Sequence, residues 1–325
     1  MTKAILVSEN GGPEVLRIGE VRLGEPGPGE ALIRHEAIGL NFIDVYYRSG
    51  LYKAPNGFPF VPGSEGAGVV EAVGDGVTDV APGDRVAYTG PLGAYCANRV
   101  IAADRLVRLP DEIDFRTGAA MMLKGLTAQY LLRQTFRIEA GQTLLFHAAA
   151  GGVGLIACQW AAELGATVIG TVGSEEKAEL ARAHGCHHVI NYRTENFVER
   201  VAEITGGKSC DVVYDSVATD VFPGSLDCLK PRGTWVLFGQ SSGPIKNFDL
   251  NMLAQKGSLF ATRPTLFTYA AARPDLLAMA ADLFGVVAGG KVKIEVPQDF
   301  RLENAADAHR ALESRQTTGA TVLIP

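Results

Sequence analysis

The sequence predicts an α/β protein that combines a β-rich domain with a doubly wound parallel sheet. Residues 1–115 contain short β-rich runs broken by Gly and Pro, such as KAILV and GAGVVEAVG. From about residue 124 to 263, strands such as TLLFHA alternate with helical patterns such as GLIACQWAAELG. The alternation requires crossover connections and therefore a parallel sheet. Short strands separated by turns instead favour an antiparallel barrel or sandwich for the first part.

The change in pattern along the chain predicts the domain boundaries. A chain of 325 residues is long enough for about two domains. We predict a first domain at 1–123, a second at 124–263, and a tail at 264–325 that returns to the first. The tail reads as helix, strand, helix and strand, with VKIEVPQ (292–298) as its first strand. We do not interpret it as another nucleotide-binding half.

Composition and charge exclude several classes of protein. The net charge is −6, which argues against a nucleic-acid partner. No run of about 18 apolar residues is present, so we expect no membrane span. The N-terminal stretch lacks the pattern of a signal peptide. Five cysteines are scattered singly, which indicates free thiols in a reducing compartment. We therefore expect a cytoplasmic protein.

A glycine-rich turn joins the first strand of the alternating region to its first helix. It reads HAAAGGVG at 147–154, with Gly151 and Gly154 three residues apart. Small residues at this position let a pyrophosphate approach the backbone N–H groups at the start of a helix. The turn therefore predicts a nucleotide-binding site.

The ends of the second and third strands indicate which nucleotide binds. An NAD site normally has an acidic residue after the second strand. Here that strand ends at Gly173 without one, and Ser174, Lys177 and Tyr192-Arg193 follow. Hydroxyls and a cation suit a 2′-phosphate, so we predict NADPH rather than NADH.

Several short motifs, spread over essentially the whole chain, resemble those of one protein family. They are GPEVL, GLNFIDVYYRSGLY, PGSEGAG, GDRV and HAAAGGVGLIACQWA. They are similar to the quinone oxidoreductase branch of the medium-chain dehydrogenase/reductase superfamily, to which zeta-crystallin is related. The resemblance implies a GroES-like catalytic domain, a Rossmann domain, a cofactor cleft between them and a homodimer. The apolar edge strand SLFAT (258–262) is a candidate dimer seam, because an unpaired sheet edge can pair with a second copy.

The resemblance also implies which residues bind the cofactor, with Gly151 added by the glycine pattern itself. The predicted cofactor-binding residues are Asn41, Phe42, Tyr46, Tyr130, Gly151, Gly152, Val153, Gly173, Ser174, Lys177, Tyr192, Val217, Phe238, Gly239, Ser241, Ser242 and Arg315. The positions at strand ends also agree with the general rule that ligands bind at the carboxyl edge of such a sheet.

The resemblance further predicts that no catalytic zinc is bound. In the zinc alcohol dehydrogenases of this superfamily, a Gly-His-Glu loop and a Cys-x-x-Asp run supply metal ligands. Here Ser64 and Asn41 stand at the His and Cys positions. Too few ligands remain for zinc. Glu65 is then expected to be a structural carboxylate, bonded to backbone or to a nearby Arg. The run 184–188, with three His and one Cys, is expected to be a polar helix end.

The lack of a Lewis acid restricts the chemistry. The acceptor must already be electrophilic, as quinones and conjugated enones are. Candidate donors to the acceptor are Asn41, Tyr46 and Tyr52, whereas no general acid is assigned. Lys124 could face the cofactor cleft or extend to water. We predict NADPH-dependent quinone reduction by hydride or electron transfer. The alternatives are an NADPH-dependent enone or alkenal reductase and, of another class, an NADPH-binding structural or RNA-binding protein.

Overall fold

The computed structural model describes residues 1–325 and contains fifteen β-strands. In chain order they are β1 (Thr2–Leu6), β2 (Arg17–Val21), β3 (Glu30–Leu40), β4 (Glu65–Val73), β5 (Arg85–Thr89), β6 (Asn98–Ala102), β7 (Val107–Arg108), β8 (Thr143–Phe146), β9 (Thr167–Val172), β10 (His188–Asn191), β11 (Cys210–Asp215), β12 (Leu229–Leu237), β13 (Phe260–Thr262), β14 (Gln298–Arg301) and β15 (Thr321–Ile324).

Ten α-helices accompany the strands. They are α1 (Phe42–Arg48), α2 (Phe115–Tyr130), α3 (Gly152–Glu163), α4 (Glu175–Ala183), α5 (Phe197–Thr205), α6 (Gly224–Asp227), α7 (Asn251–Gln255), α8 (Leu266–Tyr269), α9 (Arg273–Ala288) and α10 (Ala305–Glu313). A π-helical turn, Leu131–Thr135, continues α2. None of the helices combines the length and the apolar character that crossing a membrane requires.

The chain divides into two compact units. The first contains Met1–Leu126, Ala270–Phe284 and Ile294–Pro325. Its main sheet has seven strands in the order β14-β15-β3-β4-β5-β7, with β6 also paired to β3. The strand β3 alternates buried with partly buried or exposed residues from Glu30 to Ala37, and its Ile33 and Ile38 are fully buried in the core of this unit. This alternation is the pattern of a strand with one solvated face.

The second unit contains Thr127–Tyr269 and Gly285–Lys293. Its six strands are all parallel, in the order β10-β9-β8-β11-β12-β13. Numbered within the unit, this order is 3-2-1-4-5-6, which is the order of a doubly wound dinucleotide-binding sheet. Leu145, Ile169 and Val213 are fully buried on adjacent strands, as expected for a sheet covered on both faces.

The predicted α/β fold class is confirmed, with a mixed sheet in one unit and a parallel sheet in the other. One predicted strand is misplaced. Residues 292–297 form no strand, and pairing begins only at Gln298. Val292 N–H instead donates to Val286 O at the end of α9, and Glu295 O accepts from Ala320 N–H. These bonds occupy backbone N–H and C=O groups that a strand would need for pairing with a neighbouring strand. The sequence-derived boundaries at 123/124 and 263/264 stay a prediction.

Candidate functional site

The glycine turn of the second unit leads from β8 into the start of α3. Gly151 is the N-cap residue of α3, and no side chain caps the N–H groups of its first turn. Ala148, three residues before Gly151, adopts a positive φ of 57°. Uncapped N–H groups at the start of a twelve-residue helix form a site that suits an anion. The predicted residues Gly151, Gly152 and Val153 all lie there.

Gly154 allows α3 to pack closely on this turn. A Cβ at Gly154 would lie 2.4 Å from Ala148 O and 2.6 Å from Ala149 O. A Cβ at Gly151 would lie 3.2 Å from Ala148 O, which is a milder contact. The turn therefore fits a pyrophosphate that approaches the backbone directly, and Gly154 keeps the helix start in place beneath it.

The ends of β9 and β10 bring together Gly173, Ser174, Lys177 and Tyr192. Ser174 caps α4, because its Oγ accepts from Lys177 N–H at 3.3 Å. A Cβ at Gly173 would lie 2.5 Å from the Tyr192 hydroxyl oxygen, so the phenol of Tyr192 lies directly beside Gly173. The Ser174 hydroxyl, the Tyr192 phenol and the backbone of Lys177 thus lie at the ends of these two neighbouring strands.

The ends of β11 and β12 carry the remaining predicted residues of this sheet edge. Ser242 N–H and Ser242 Oγ both donate to Val217 O, at 3.0 and 2.6 Å. Ser241 N–H donates to Ser216 O, and Phe238 N–H donates to Asp215 O. The loop that contains Phe238, Gly239, Ser241 and Ser242 is therefore bonded to the segment containing Val217. Tyr130, in contrast, is buried with its ring stacked on Tyr269 at 4.6 Å between centroids.

A buried polar network holds these strand ends, and sequence reasoning missed it. Asp215 Oδ1 accepts from Val217 N–H and Ala218 N–H, and its Oδ2 accepts from Ser225 Oγ and Trp235 Nε1. His147 lies between Ser225 Oγ, 3.1 Å from its Nε2, and Thr171 Oγ1, 3.0 Å from its Nδ1. The side chains come from β9, β11, β12, α6 and the turn after β8, so no local pattern identifies them.

Donors and acceptors can be assigned along the hydrogen bonds of His147. Burial lowers the pKa of His147, so the ring is neutral and carries one N–H. When Ser225 donates to Asp215, His147 Nε2–H donates to Ser225 and His147 Nδ1 accepts from Thr171. A fully satisfied buried chain of this kind fixes the geometry of the strand ends. It acts as a support for the site and offers no exposed nucleophile.

The predicted donors of the first unit lie around the start of α1. Asn41 is the N-cap residue of α1, and its backbone N–H donates to Asp44 Oδ2 at 2.9 Å. The rings of Phe42, Tyr46 and Tyr52 follow in series, with centroids 6.4 Å apart for the first pair and 5.2 Å for the second. The structure thus brings together the amide of Asn41 and an aromatic wall. Arg315 lies in the same unit, exposed, directly after α10.

Glu65 is a fully buried carboxylate that accepts hydrogen bonds from three donors. Its Oε2 accepts from Asn41 Nδ2 at 2.8 Å and from Lys124 Nζ at 3.0 Å, and its Oε1 accepts from Leu123 N–H at 2.7 Å. The cation is therefore Lys124 and not an Arg. The alternative in which Lys124 extends to water is wrong, because its side chain is 7% exposed and forms a buried ion pair. The alternative in which Lys124 faces the cofactor stays a prediction. A Cβ at Gly39 would lie 2.2 Å from Glu65 Oε2, so Gly39 makes room for this carboxylate.

Asp44 begins a second buried chain in the first unit. Its Oδ2 accepts from Tyr95 Oη at 3.1 Å, and the same hydroxyl lies 3.1 Å from His309 Nε2. Burial raises the pKa of the Asp44 carboxyl to about 7 and lowers the pKa of His309 to about 3. Burial therefore disfavours the charged form of both groups. This chain fixes the residue that caps α1, and no sequence pattern predicts it.

The positions that correspond to metal ligands in the zinc enzymes hold Ser64 and Asn41. Ser64 is buried, and Thr89 donates its hydroxyl to the carbonyl oxygen of Ser64. Nowhere in the chain do three His, Cys, Asp or Glu side chains gather as a metal site. In the run 184–188, His184 Nδ1 lies 2.8 Å from Leu180 O, and His187 Nδ1 accepts from Val168 N–H. These ring nitrogens bond backbone groups, of α4 for His184 and of β9 for His187.

Two family models match the chain. One, described as an alcohol dehydrogenase GroES-like domain, matches residues 27–135, and the other, described as a zinc-binding dehydrogenase, matches residues 152–280. The first match contains β3 to β7 of the mixed sheet, and the second contains β9 to β13 of the parallel sheet.

Relatives cover the whole chain. A quinone oxidoreductase of Pseudomonas aeruginosa is 58% identical over 326 aligned residues, which cover 100% of both chains. A 2-haloacrylate reductase of Burkholderia sp is 47% identical, with 100% of this chain and 99% of the relative covered. The crystal structure of Escherichia coli quinone oxidoreductase complexed with NADPH superimposes with a TM-score of 0.98 at 49% identity, over 99% of this chain and 100% of that one. The chain belongs to the quinone oxidoreductase group of the medium-chain dehydrogenase/reductase superfamily.

Proposed function

We propose that this protein is an oxidoreductase that uses NADPH to reduce quinones. The observation that carries the proposal is the uncapped start of α3 beneath a glycine turn, in a chain that resembles an NADPH-bound quinone oxidoreductase along its whole length. The anion site and the group of polar side chains at the ends of β9 and β10 fit a dinucleotide with a 2′-phosphate. NADPH, when bound, supplies the hydride.

The chain's own residues would hold this cofactor at separate points. Gly151, Gly152 and Val153 would bind the pyrophosphate through backbone N–H groups. The 2′-phosphate end would be bound by Gly173, Ser174, Lys177 and Tyr192. The remaining proposed contacts are Tyr130, Val217, Phe238, Gly239, Ser241 and Ser242 in the second unit, and Asn41, Phe42, Tyr46 and Arg315 in the first.

We propose further that the reaction needs no zinc. The argument rests on donor chemistry. Ser64 and Asn41 offer a hydroxyl and an amide where zinc prefers His and Cys. The Asn41 amide and the neighbouring Glu65 are already engaged with each other and with Lys124. Metal analysis of the purified protein tests this point, since stoichiometric zinc in the active enzyme would contradict it.

The first unit offers the groups that an aromatic acceptor needs. The wall of Phe42, Tyr46 and Tyr52 would pack against a flat ring, and Asn41, Tyr46 and Tyr52 carry the candidate hydrogen-bond donors. A hydroquinone anion is stabilised by its own aromatic ring, so water can protonate it. These three residues are therefore proposed to orient the acceptor.

An assay of NADPH oxidation with different acceptors tests the function. With 1,4-benzoquinone as acceptor, we expect the enzyme to oxidise NADPH faster than the spontaneous reaction does. The fall in NADPH absorbance at 340 nm measures the rate. The likeness to a 2-haloacrylate reductase favours a second candidate, the reduction of a conjugated C=C bond. Activity on 2-chloroacrylate or a simple enone, without activity on the quinone, would select that candidate. Tight NADPH binding without any oxidation would favour a binding protein.

Replacing Lys177 tests the choice of cofactor. We expect Lys177→Ala to raise the KM for NADPH about tenfold, because a charge-assisted hydrogen bond to the 2′-phosphate is lost. The KM for NADH should not change, since NADH has no 2′-phosphate. Lys208→Ala, at an exposed position of the same unit, is the matched control. An unchanged KM for NADPH in Lys177→Ala would overturn the assignment.

We also propose a homodimer in the cytoplasm. The strand β13 pairs only with β12 and leaves its other edge open, and Phe260 on it is 60% exposed. An open apolar edge favours pairing with a second copy. All five cysteines are free thiols and buried, which suits a reducing compartment.

A further inference from the structure

The cation of Lys124 lies within the first unit, next to the residues proposed to orient the acceptor. Lys124 Nζ and Asn41 Nδ2 both donate to the same oxygen, Glu65 Oε2, at 3.0 and 2.8 Å. Two donors that share one acceptor atom are close neighbours. Asn41 in turn begins α1, on which Phe42 and Tyr46 lie. The ammonium is therefore placed beside the amide at the head of the aromatic wall.

The ammonium also retains donors beyond its bond to Glu65. A protonated lysine has three N–H groups, and Glu65 Oε2 accepts one of them. The Lys124 side chain is 7% exposed, whereas Glu65 is 0% exposed. The carboxylate is fully buried and holds the lysine, whose side chain keeps only this small exposed fraction. The ion pair therefore fixes the position of the ammonium and leaves N–H groups of Lys124 that can donate to another acceptor.

We propose that Lys124 binds the oxygen atom that becomes negatively charged when the acceptor is reduced, so that its ammonium forms a subsite for a phenolate or enolate oxygen. This inference rests on the proposed function. Hydride addition to a quinone or enone leaves negative charge on oxygen, and a charge-assisted N–H···O⁻ bond in a poorly solvated site stabilises that charge. Lys124 would then provide part of what a Lewis acid supplies in the zinc enzymes.

The surroundings of Lys124 explain why a lysine can serve here. Glu65 bonds it directly, and the Asp44 carboxyl interacts with it electrostatically. Burial raises the pKa of Asp44 to about 7, so near neutral pH this second carboxyl is partly protonated. A phenolate at the subsite would therefore meet the lysine with less repulsion from Asp44. If the ion pair had only a structural role, connecting α2 to β4, Lys124 would not interact with a phenolate.

The ionisation of a bound phenol separates these two roles. The probe is 4-nitrophenol, whose phenolate absorbs visible light, titrated with wild type and with Lys124→Met. We expect wild type to bind the phenolate about tenfold more tightly relative to the phenol than Lys124→Met does, seen as a lower apparent pKa of the bound probe. Lys3→Met, at an exposed lysine of the same unit, should behave as wild type.

Two results would overturn the inference: wild type that binds no 4-nitrophenolate, or an equal preference in Lys124→Met. If Lys124→Met does not fold, as judged by circular dichroism, the double variant Glu65→Leu with Lys124→Met replaces it, because it removes both charges together. A quinone reduction assay on the same wild-type sample keeps the proposals apart. Quinone reduction without a shift in probe ionisation contradicts only the lysine subsite, and a shift without NADPH oxidation contradicts only the proposed function.

Discussion

Glu65→Gln is expected to lower the free energy of unfolding by about 3–5 kcal/mol, the range found when one partner of a buried ion pair is removed. The substitution leaves the Lys124 ammonium buried without a counter-charge. It also weakens the acceptor for Leu123 N–H, which bonds Glu65 Oε1 at 2.7 Å. Urea denaturation followed by circular dichroism measures the change, with the slope m checked for two-state behaviour.

Two variants give this experiment its controls. Glu71→Gln, on the same strand β4, removes an exposed carboxylate that pairs with Arg34 at 3.3 Å, and should change stability by less than about 1 kcal/mol. Glu65→Leu with Lys124→Met replaces the buried pair by apolar side chains and should recover much of the loss. A loss in Glu65→Gln no larger than that in Glu71→Gln would show that the buried pair contributes little.

Gly154→Ala is expected to weaken NADPH binding about 10- to 100-fold, which corresponds to the 1–3 kcal/mol typical of an overpacked position. The new Cβ would lie 2.4 and 2.6 Å from two backbone carbonyl oxygens. Backbone cannot swing aside as a flexible side chain can, so α3 and the turn must separate. The uncapped N–H groups that the pyrophosphate needs would move with them. Fluorescence titration with NADPH measures the affinity.

Two other glycines calibrate the effect of a methyl group in the second unit. Gly151→Ala meets one carbonyl oxygen at 3.2 Å and should have a smaller effect. Gly285→Ala, in α9, meets nothing within 4 Å, so it should leave NADPH affinity unchanged and stabilise the helix by up to about 1 kcal/mol. Wild-type NADPH affinity in Gly154→Ala would contradict the assigned role of the turn.

The parts of the fold that repeat locally could be predicted from the sequence. The strand TLLFHA, the helix that follows it and the glycines between them are close in sequence, and each restricts its neighbours. The parallel sheet follows from repeated units of this kind, and the structure has a six-stranded parallel sheet there. The same context places Gly151 and Gly152 at a helix start. Periodicity and turn chemistry carry this information because both act over a few residues.

The buried polar pairs could not be predicted in the same way. Tyr95 bonds Asp44, and also lies against His309, which is more than two hundred residues further along the chain. Lys124 reads as a lone charge in an apolar run until β4 brings Glu65 beside it. Such contacts depend on which strands and helices become neighbours. A single sequence gives the type of each residue but not the partner that makes its burial tolerable.

The division of the chain into units has a consequence for synthesis on the ribosome. The second unit draws on residues up to Lys293, and most of it is one continuous segment. The first unit contains the earliest residues, yet its strand β3 lies between β4 and β15, and Leu40 pairs with Thr321. The sheet that begins first is therefore completed last. The strand β6 pairs with Glu30–Arg34 on that edge, but the Ile38–Leu40 part stays open until β15 has left the exit tunnel. The nascent chain therefore carries an unfinished sheet edge while residues 103–320 are synthesised.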